Sequence, residues 1–455
     1  MKKDRYSIDM VEGPLFPKIL LFSIPLVLTN LLQLTFNAAD TIVVGRFGSR
    51  NSIAAVGSTA SMLNFIISIS IGMSIGTSVL VSKYFGAKRK KDLTDTVHTS
   101  IMLAIMLALV VSVLGQFVAK PALHLMGSPD DVIDLSVLYV RIYFAGFPGI
   151  LLYTFGSAIL RAVGDTRRPL MYLTLSGVVN VCLNLVFVIV FHLDVAGVAL
   201  ATIISQLISA ILVIRCLMKT EEEYRLDIRK LKITKDRLFE IIRVGVPAGL
   251  QSSLFSVSNM LIQSTVNTFG STVMSGNATS GSIEGFIYTT MNAMYQASIS
   301  FTGQNYGAGR FDRIKKVLAE CLLTVTVIGV VMGLLARFFA PQLLGIYTTD
   351  PEVIRYGTIR LTLIASTYFL CGWMDVLCGC MRGLGYAVLP MIVSLVGACG
   401  FRILWIFTVF PLDPTIRMLY VSYPISWALT AVAHLICFIL CMRKVKSIWK
   451  RRITV

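Results

Sequence analysis

The chain has 455 residues, of which 55% are hydrophobic and only 14% charged, with a mean hydropathy of +0.76; this excludes an ordinary soluble enzyme and calls for a bilayer. The net charge of +17 arrives in short basic runs between long apolar stretches, without interleaved stacking aromatics, which argues against nucleic acid and makes anionic lipid the expected partner of the basic face. The nine cysteines lie mostly in apolar segments, Cys378-Gly379-Cys380 lacks zinc spacing, the four histidines are scattered and no Walker-type run occurs, so no cofactor, metal centre or ATP hydrolysis is expected.

From the N-terminus, Met1 to Arg5 is basic, and the apolar stretch after Lys18 is too long for a signal h-region and carries no small-residue cleavage site, so it is read as a retained first span. Runs of the roughly 20 apolar residues needed to cross about 30 Å of hydrocarbon extend from Ile19 to Val44, Ile53 to Val81, Val97 to Val118, Leu135 to Leu160, Pro169 to Phe191 and Val195 to Ile214. After the charged stretch Lys219 to Arg237, six more run from Val244 to Phe269, Val273 to Phe301, Val317 to Ala340, Leu361 to Met381, Ala387 to Phe410 and Met418 to Met442. Pro25, Pro148 and Pro247 fall within spans and are expected to bend them. Residues 1–218 are thus assigned to an N-terminal lobe, 219–240 to a cytoplasmic linker and 241–455 to a C-terminal lobe. With the N-terminus inside, the inside segments hold 32 of the 41 lysines and arginines, so both termini are expected in the cytoplasm. Lys88-Arg89-Lys90-Lys91 and Arg451-Arg452 are read as topology determinants.

The halves superpose at an almost constant shift. Gly86-Ala87 recurs as Gly307-Ala308, Val132-Ile133 as Val353-Ile354, and Arg161, Gly164 and Pro169 as Arg382, Gly385 and Pro390, all 221 residues later; Pro25 and Asn37 recur as Pro247 and Asn259 with one more residue inserted. An even number of spans per half gives both halves the same orientation. The expected fold is therefore an all-α membrane protein of about twelve transmembrane helices in two six-helix lobes, related by a pseudo-two-fold axis along the membrane normal and built for alternating access.

What only one half carries is the better guide to specialised chemistry. Asp40 stands opposite Ile262, Glu284 opposite Leu63, Asp375 opposite Thr154 and Arg402 opposite Val181, while Asn180 and Asn184 face Phe401 and Trp405. The first span places Asn30, Gln33, Asn37 and Asp40 on one helical face. A carboxylate inside a bilayer is costly unless hydrated, paired or protonated, so such residues usually face a cavity, and a group that can take up and release a proton is what a proton carrier needs. Asn180 and Asn184, one turn apart on the fifth span, and Tyr139 on the fourth are candidates to share that cavity; the alternative is that Asp40 merely reaches the outer interface. On the eighth span Asn277, Glu284, Tyr288, Met291, Asn292 and Tyr295 form a stripe suited to flat organic cations, through charge pairing, cation-π contact and adaptable sulfur. Asp375 joins this stripe as a candidate substrate-binding acid, as Gln33 does on the first span. The alternative for Glu284 is a structural ion pair with Arg402, for which Asp375 is a rival partner.

The loop Leu160-Arg161-Ala162-Val163-Gly164-Asp165-Thr166-Arg167-Arg168-Pro169, its partner Met381-Arg382-Gly383-Leu384-Gly385, and the run Gly303-Gln304-Asn305-Tyr306-Gly307-Ala308-Gly309 resemble the inter-span signatures of multidrug and toxin extrusion (MATE) transporters. The resemblance runs from about Pro14 to the end of the twelfth span. It implies two lobes around a V-shaped cleft, export of small organic cations or other amphipathic compounds across a prokaryotic inner membrane, and coupling to inward proton or sodium flow, with the chain acting as a monomer. Asp40 matches the family's first-span coupling acid, and Tyr139, Asn180 and Thr202 match positions lining the N-lobe cavity of the DinF-like branch. Asn184 departs from the aspartate frequent there, leaving one acid in this cavity and favouring protons over sodium as the coupling ion, and the seventh span lacks the acid typical of the NorM-like branch. A competing class, the lipid-linked saccharide flippases, is also built from repeated spans, but three one-sided acids against one new arginine favour cationic cargo.

Overall fold

The computed structural model describes residues 6–47, 50–126, 129 and 131–453; Met1 to Arg5 lie outside the described residues, as do the side chains of Arg451 and Arg452. Among the described residues the chain is helical, without strands. The first half comprises α1 (Leu15–Phe47), α2 (Arg50–Gly86), α3 (Lys90–Leu125), α4 (Ile133–Ala145), α5 (Phe147–Ala162), α6 (Arg167–Leu185), which runs on into π-helical turns at Val186–Val190, and α7 (Asp194–Lys219). The second comprises α8 (Lys235–Asn267), α9 (Ser271–Gly307), α10 (Phe311–Phe338), α11 (Ala340–Gly345), α12 (Pro351–Leu363), α13 (Tyr368–Gly383), α14 (Val388–Ser394), π-helical turns at Leu395–Gly400, α15 (Phe401–Thr408) and α16 (Ile416–Ile453).

Nine helical passes among the described residues are long and apolar enough to cross a membrane, and a tenth is made by α4 and α5 taken together. The two that fall short are α8 and α9, at 33 and 37 residues ample in length but diluted by polar side chains such as Gln251, Ser252, Ser256 and Gln263, and Asn277, Ser280 and Glu284. α4 and α5 meet at a 47° bend beside Gly146, with Pro148 in the first turn of α5. Pro25 and Pro247, by contrast, lie inside the continuous helices α1 and α8. A spanning helix tolerates a proline when neighbouring groups re-satisfy the freed carbonyl.

The outward surface is what lipid requires. Along α10, Leu323, Val327, Val331, Leu335 and Phe338 are all exposed, a stripe at helical spacing that would be untenable on a soluble monomer and is normal against acyl chains. Helix ends repeat between the halves. Gly164 (φ +100°) closes α5 and Gly385 (φ +89°) closes α13, each donating its N–H back to the carbonyl of the arginine three residues earlier, Arg161 at 3.0 Å and Arg382 at 2.7 Å. Left-handed backbone of this kind suits glycine. At Gly164 a Cβ would also stand 2.5 Å from the carbonyl oxygen of Ile8.

By packing the chain forms two compact units, one of residues 1–8, 28–85 and 89–245, the other of residues 9–27, 86–88 and 246–455. In the first, the segment between α7 and α8 is docked on the helices it follows. Tyr224 and Leu226 are 1% and 2% exposed, His98 places its ring between the carbonyls of Thr94 and Asp227, and Lys232 pairs with Asp95 at 3.0 Å. Arg237 bridges Asp92 and Glu240 while stacking on Tyr84.

Candidate functional site

In the first unit the sequence-predicted polar residues meet around Asp40. The carboxylate, half-buried on α1, accepts a 2.5 Å hydrogen bond from Asn184 Nδ2 and a 3.3 Å one from Thr202 Oγ1. Asn184 also donates to Asn180 Oδ1 at 3.3 Å, which chains the two α6 amides to the acid. This approach of α6 to α1 depends on Gly177: a Cβ there would fall 1.9 Å from the Phe36 ring, so any larger residue would hold the two asparagines away. Val43, Val44, Val188 and Val198 pack as an apolar cluster where α1 ends against the π-helical turns and α7. Tyr139 is buried on α4, beside Tyr143 at 6.2 Å between ring centres. Gln33 and Asn37 lie on the same helix but are exposed and make no side-chain hydrogen bond among the described residues. Among those residues no lysine, arginine or histidine pairs with Asp40.

In the second unit the charges arrange themselves differently from expectation. Glu284 pairs neither with Arg402 nor in rivalry with Asp375; both its oxygens are taken by Arg360, at 2.9 Å from Nε and 2.7 Å from Nη2. The pair is deeply buried, with side-chain exposures of 11% for Arg360 and 5% for Glu284. The third guanidinium nitrogen, Nη1, donates to Asn277 Oδ1 at 2.6 Å, and that same oxygen accepts from Tyr420 OH at 3.0 Å. Arg360 escaped sequence reasoning because it stands one position before the apolar run of the tenth span and was counted as an outside residue. A signal was nevertheless present: 221 residues earlier lies Tyr139, a residue already assigned to the first cavity.

The rest of the α9 stripe divides. Met291 is buried and set against α13, its sulfur 3.3 Å from where a Cβ on Gly372 would lie. Tyr295, 8% exposed, accepts a hydrogen bond from Arg382, whose other terminal nitrogen donates to Gln251 Oε1 at 2.8 Å. Both side chains are thereby engaged within the unit. Tyr288, 40% exposed, and the half-buried Asn292 remain reachable, as does the half-buried Asp375 on α13. Asp375 has no hydrogen-bond or ion-pair partner among the described residues. Arg402 donates through Nε to Ser426 Oγ at 2.9 Å and stacks on Tyr423 and Trp427.

A chain of repeated membrane-crossing helices, each half carrying acids inside the apolar zone, has the architecture of the polytopic membrane transporters. The family model described as MatE matches residues 25–186 and again residues 247–408, one copy on each half. The chain belongs to this family. Among curated relatives it is 30% identical to "Probable multidrug resistance protein YoeA" of Bacillus subtilis (strain 168) over 390 residues, 84% of each chain. It is 27% identical to "Probable multidrug resistance protein YpnP" of the same organism, over 85% of this chain and 87% of that one. The same fold is seen in a multidrug resistance MATE family transporter of the MOP superfamily, solved in an outward-facing conformation, with a TM-score of 0.91 at 20% identity over 98% of this chain and 100% of that one.

Proposed function

We propose that this protein exports amphipathic compounds, organic cations among them, by alternating access in exchange for protons entering through Asp40. The observation that carries the reading is the setting of Asp40: a single carboxylate held by two neutral donors, Asn184 and Thr202, with no cationic partner among the described residues. An acid neutralised permanently by an arginine cannot exchange charge with a passing ion. One held by an amide and a hydroxyl can, because a proton taken up there replaces no existing ion pair. A lone carboxylate among amides and hydroxyls also offers sodium less compensating charge than two carboxylates would, which favours the proton.

In the second unit, Asp375 and the reachable face of Tyr288 and Asn292 supply an acid and an aromatic surface for cationic cargo. The multidrug names of the curated relatives agree with a broad cargo range. The basic segments between spans support a cytoplasmic location for both termini in a bacterial cell, with anionic lipid as the partner of those segments. The test is Asp40→Asn, which keeps the shape and removes the titration. Reconstituted into liposomes, the variant should fold and yield as the wild type does yet lose gradient-driven transport of a fluorescent cation; undiminished driven transport would remove Asp40 from the coupling role.

A further inference from the structure

The second unit buries more positive charge than it neutralises. Glu284 spends both oxygens on Arg360, which leaves none for the second guanidinium of this region. Arg402 is 3% exposed, its Nη2 is buried without a hydrogen-bond partner, and its one polar contact among the described residues is Nε to the neutral hydroxyl of Ser426. The ring of Tyr423 is shared by the two cations, 4.1 Å from Arg402 and 5.7 Å from Arg360. No acid other than Glu284 pairs with this cluster among the described residues, so two guanidinium groups face one carboxylate. An unpaired buried cation is costly, and aromatic faces offset only part of that cost. Arg402 is the second residue of α15, directly after the π-helical segment Leu395–Gly400, a distortion frequent where a helix serves function. In the first half the same position is Val181, so neither fold nor repeat demands the charge.

We propose that Arg402 is a binding site for the carboxylate of an aromatic, amphipathic solute, whose ring lies against the Tyr368–Trp427 pair, 5.1 Å apart between centres. The free terminal N–H groups of the guanidinium form the fork that a carboxylate accepts. This extends the cargo range from cations to organic acids; it rests on the exporter reading only for what then moves the bound acid, so binding is measured apart from transport.

The experiment uses the full-length protein in detergent with Trp373, Trp405 and Trp449 replaced by Phe, leaving Trp427, 5.4 Å from the Arg402 guanidinium, as the reporter. Quenching is titrated with 4-nitrobenzoate and with its uncharged counterpart 4-nitrobenzamide. The site gives saturable quenching by the acid, at least tenfold tighter than by the amide. Arg402→Gln abolishes that preference, and Arg402→Lys keeps it to within about threefold. Equal quenching by acid and amide in the unsubstituted protein, or an unchanged preference in Arg402→Gln, overturns the proposal. Should Arg402→Gln fail to fold, the acid-over-amide preference of the parent and its behaviour in Arg402→Lys still decide. Failure of coupled export with this preference intact would count against the exporter reading alone.

Discussion

Glu284 and Arg360 show how a single pairing changes the meaning of a residue. An acid alone in an apolar span reads as a binding group, but one whose two oxygens are both held by a buried guanidinium is bound to the fold. Glu284→Gln should therefore leave Arg360 without a counter-charge and destabilise the protein by about 3 to 5 kcal/mol, with all cargoes affected alike. Replacing both partners, Glu284→Gln with Arg360→Met, should recover much of the lost yield. Detergent melting curves beside transport of cationic and neutral drugs check this; a normal melting temperature with a loss confined to cations would return Glu284 to the binding surface. Asp375 is the expected converse, since Asp375→Asn should leave stability near wild type and weaken cationic cargo by about 1 to 3 kcal/mol, the worth of a charge-assisted contact.

At the scale of elements, the site in the first unit exists because α6 comes close to α1 at Gly177. Gly177→Ala should cost about 1 to 3 kcal/mol by overpacking against Phe36 and should impair transport by displacing Asn180 and Asn184 from Asp40. A smaller residue at position 36 should restore part of both, measured as melting temperature and driven uptake, whereas a tolerated alanine with full activity would show that the approach is not needed. Much of this arrangement was legible in the chain. Asp40, Asn180 and Asn184 were identifiable because helix periodicity fixes which residues share a face, and the repeat exposes acids and amides that only one half carries. Interhelical partners were not legible. Whether Glu284 meets Arg360 or Arg402 is decided by how α9, α12 and α15 pack, and no spacing within one helix encodes that. The fates of Met291 and Tyr295 failed to show for the same reason: a stripe on α9 lists the residues of one face without saying that Gly372 admits one of them and Arg382 holds another. Likewise α8 and α9 are too polar to pass as spans by composition, and their place among the spans rests on length and on the repeat.

Over the whole molecule, two halves of common ancestry carry different charges: a lone acid held by neutral donors in one, and an ion pair, a second arginine and a free acid in the other. The segment joining them is anchored through Tyr224, whose ring lies 6.4 Å from that of Phe85. Tyr224→Ala should release it and open the bonds after Lys230 and Lys232 to trypsin, which should cut the wild type slowly there. The most direct test of the central claim, that Asp40 couples export to proton entry, is uptake of a fluorescent cation into proteoliposomes under an imposed pH gradient without sodium, and then under a sodium gradient at clamped pH. Uptake driven by the pH gradient and abolished by Asp40→Asn is the expected result; uptake driven by sodium alone, or a proton response that survives Asp40→Asn, would contradict it.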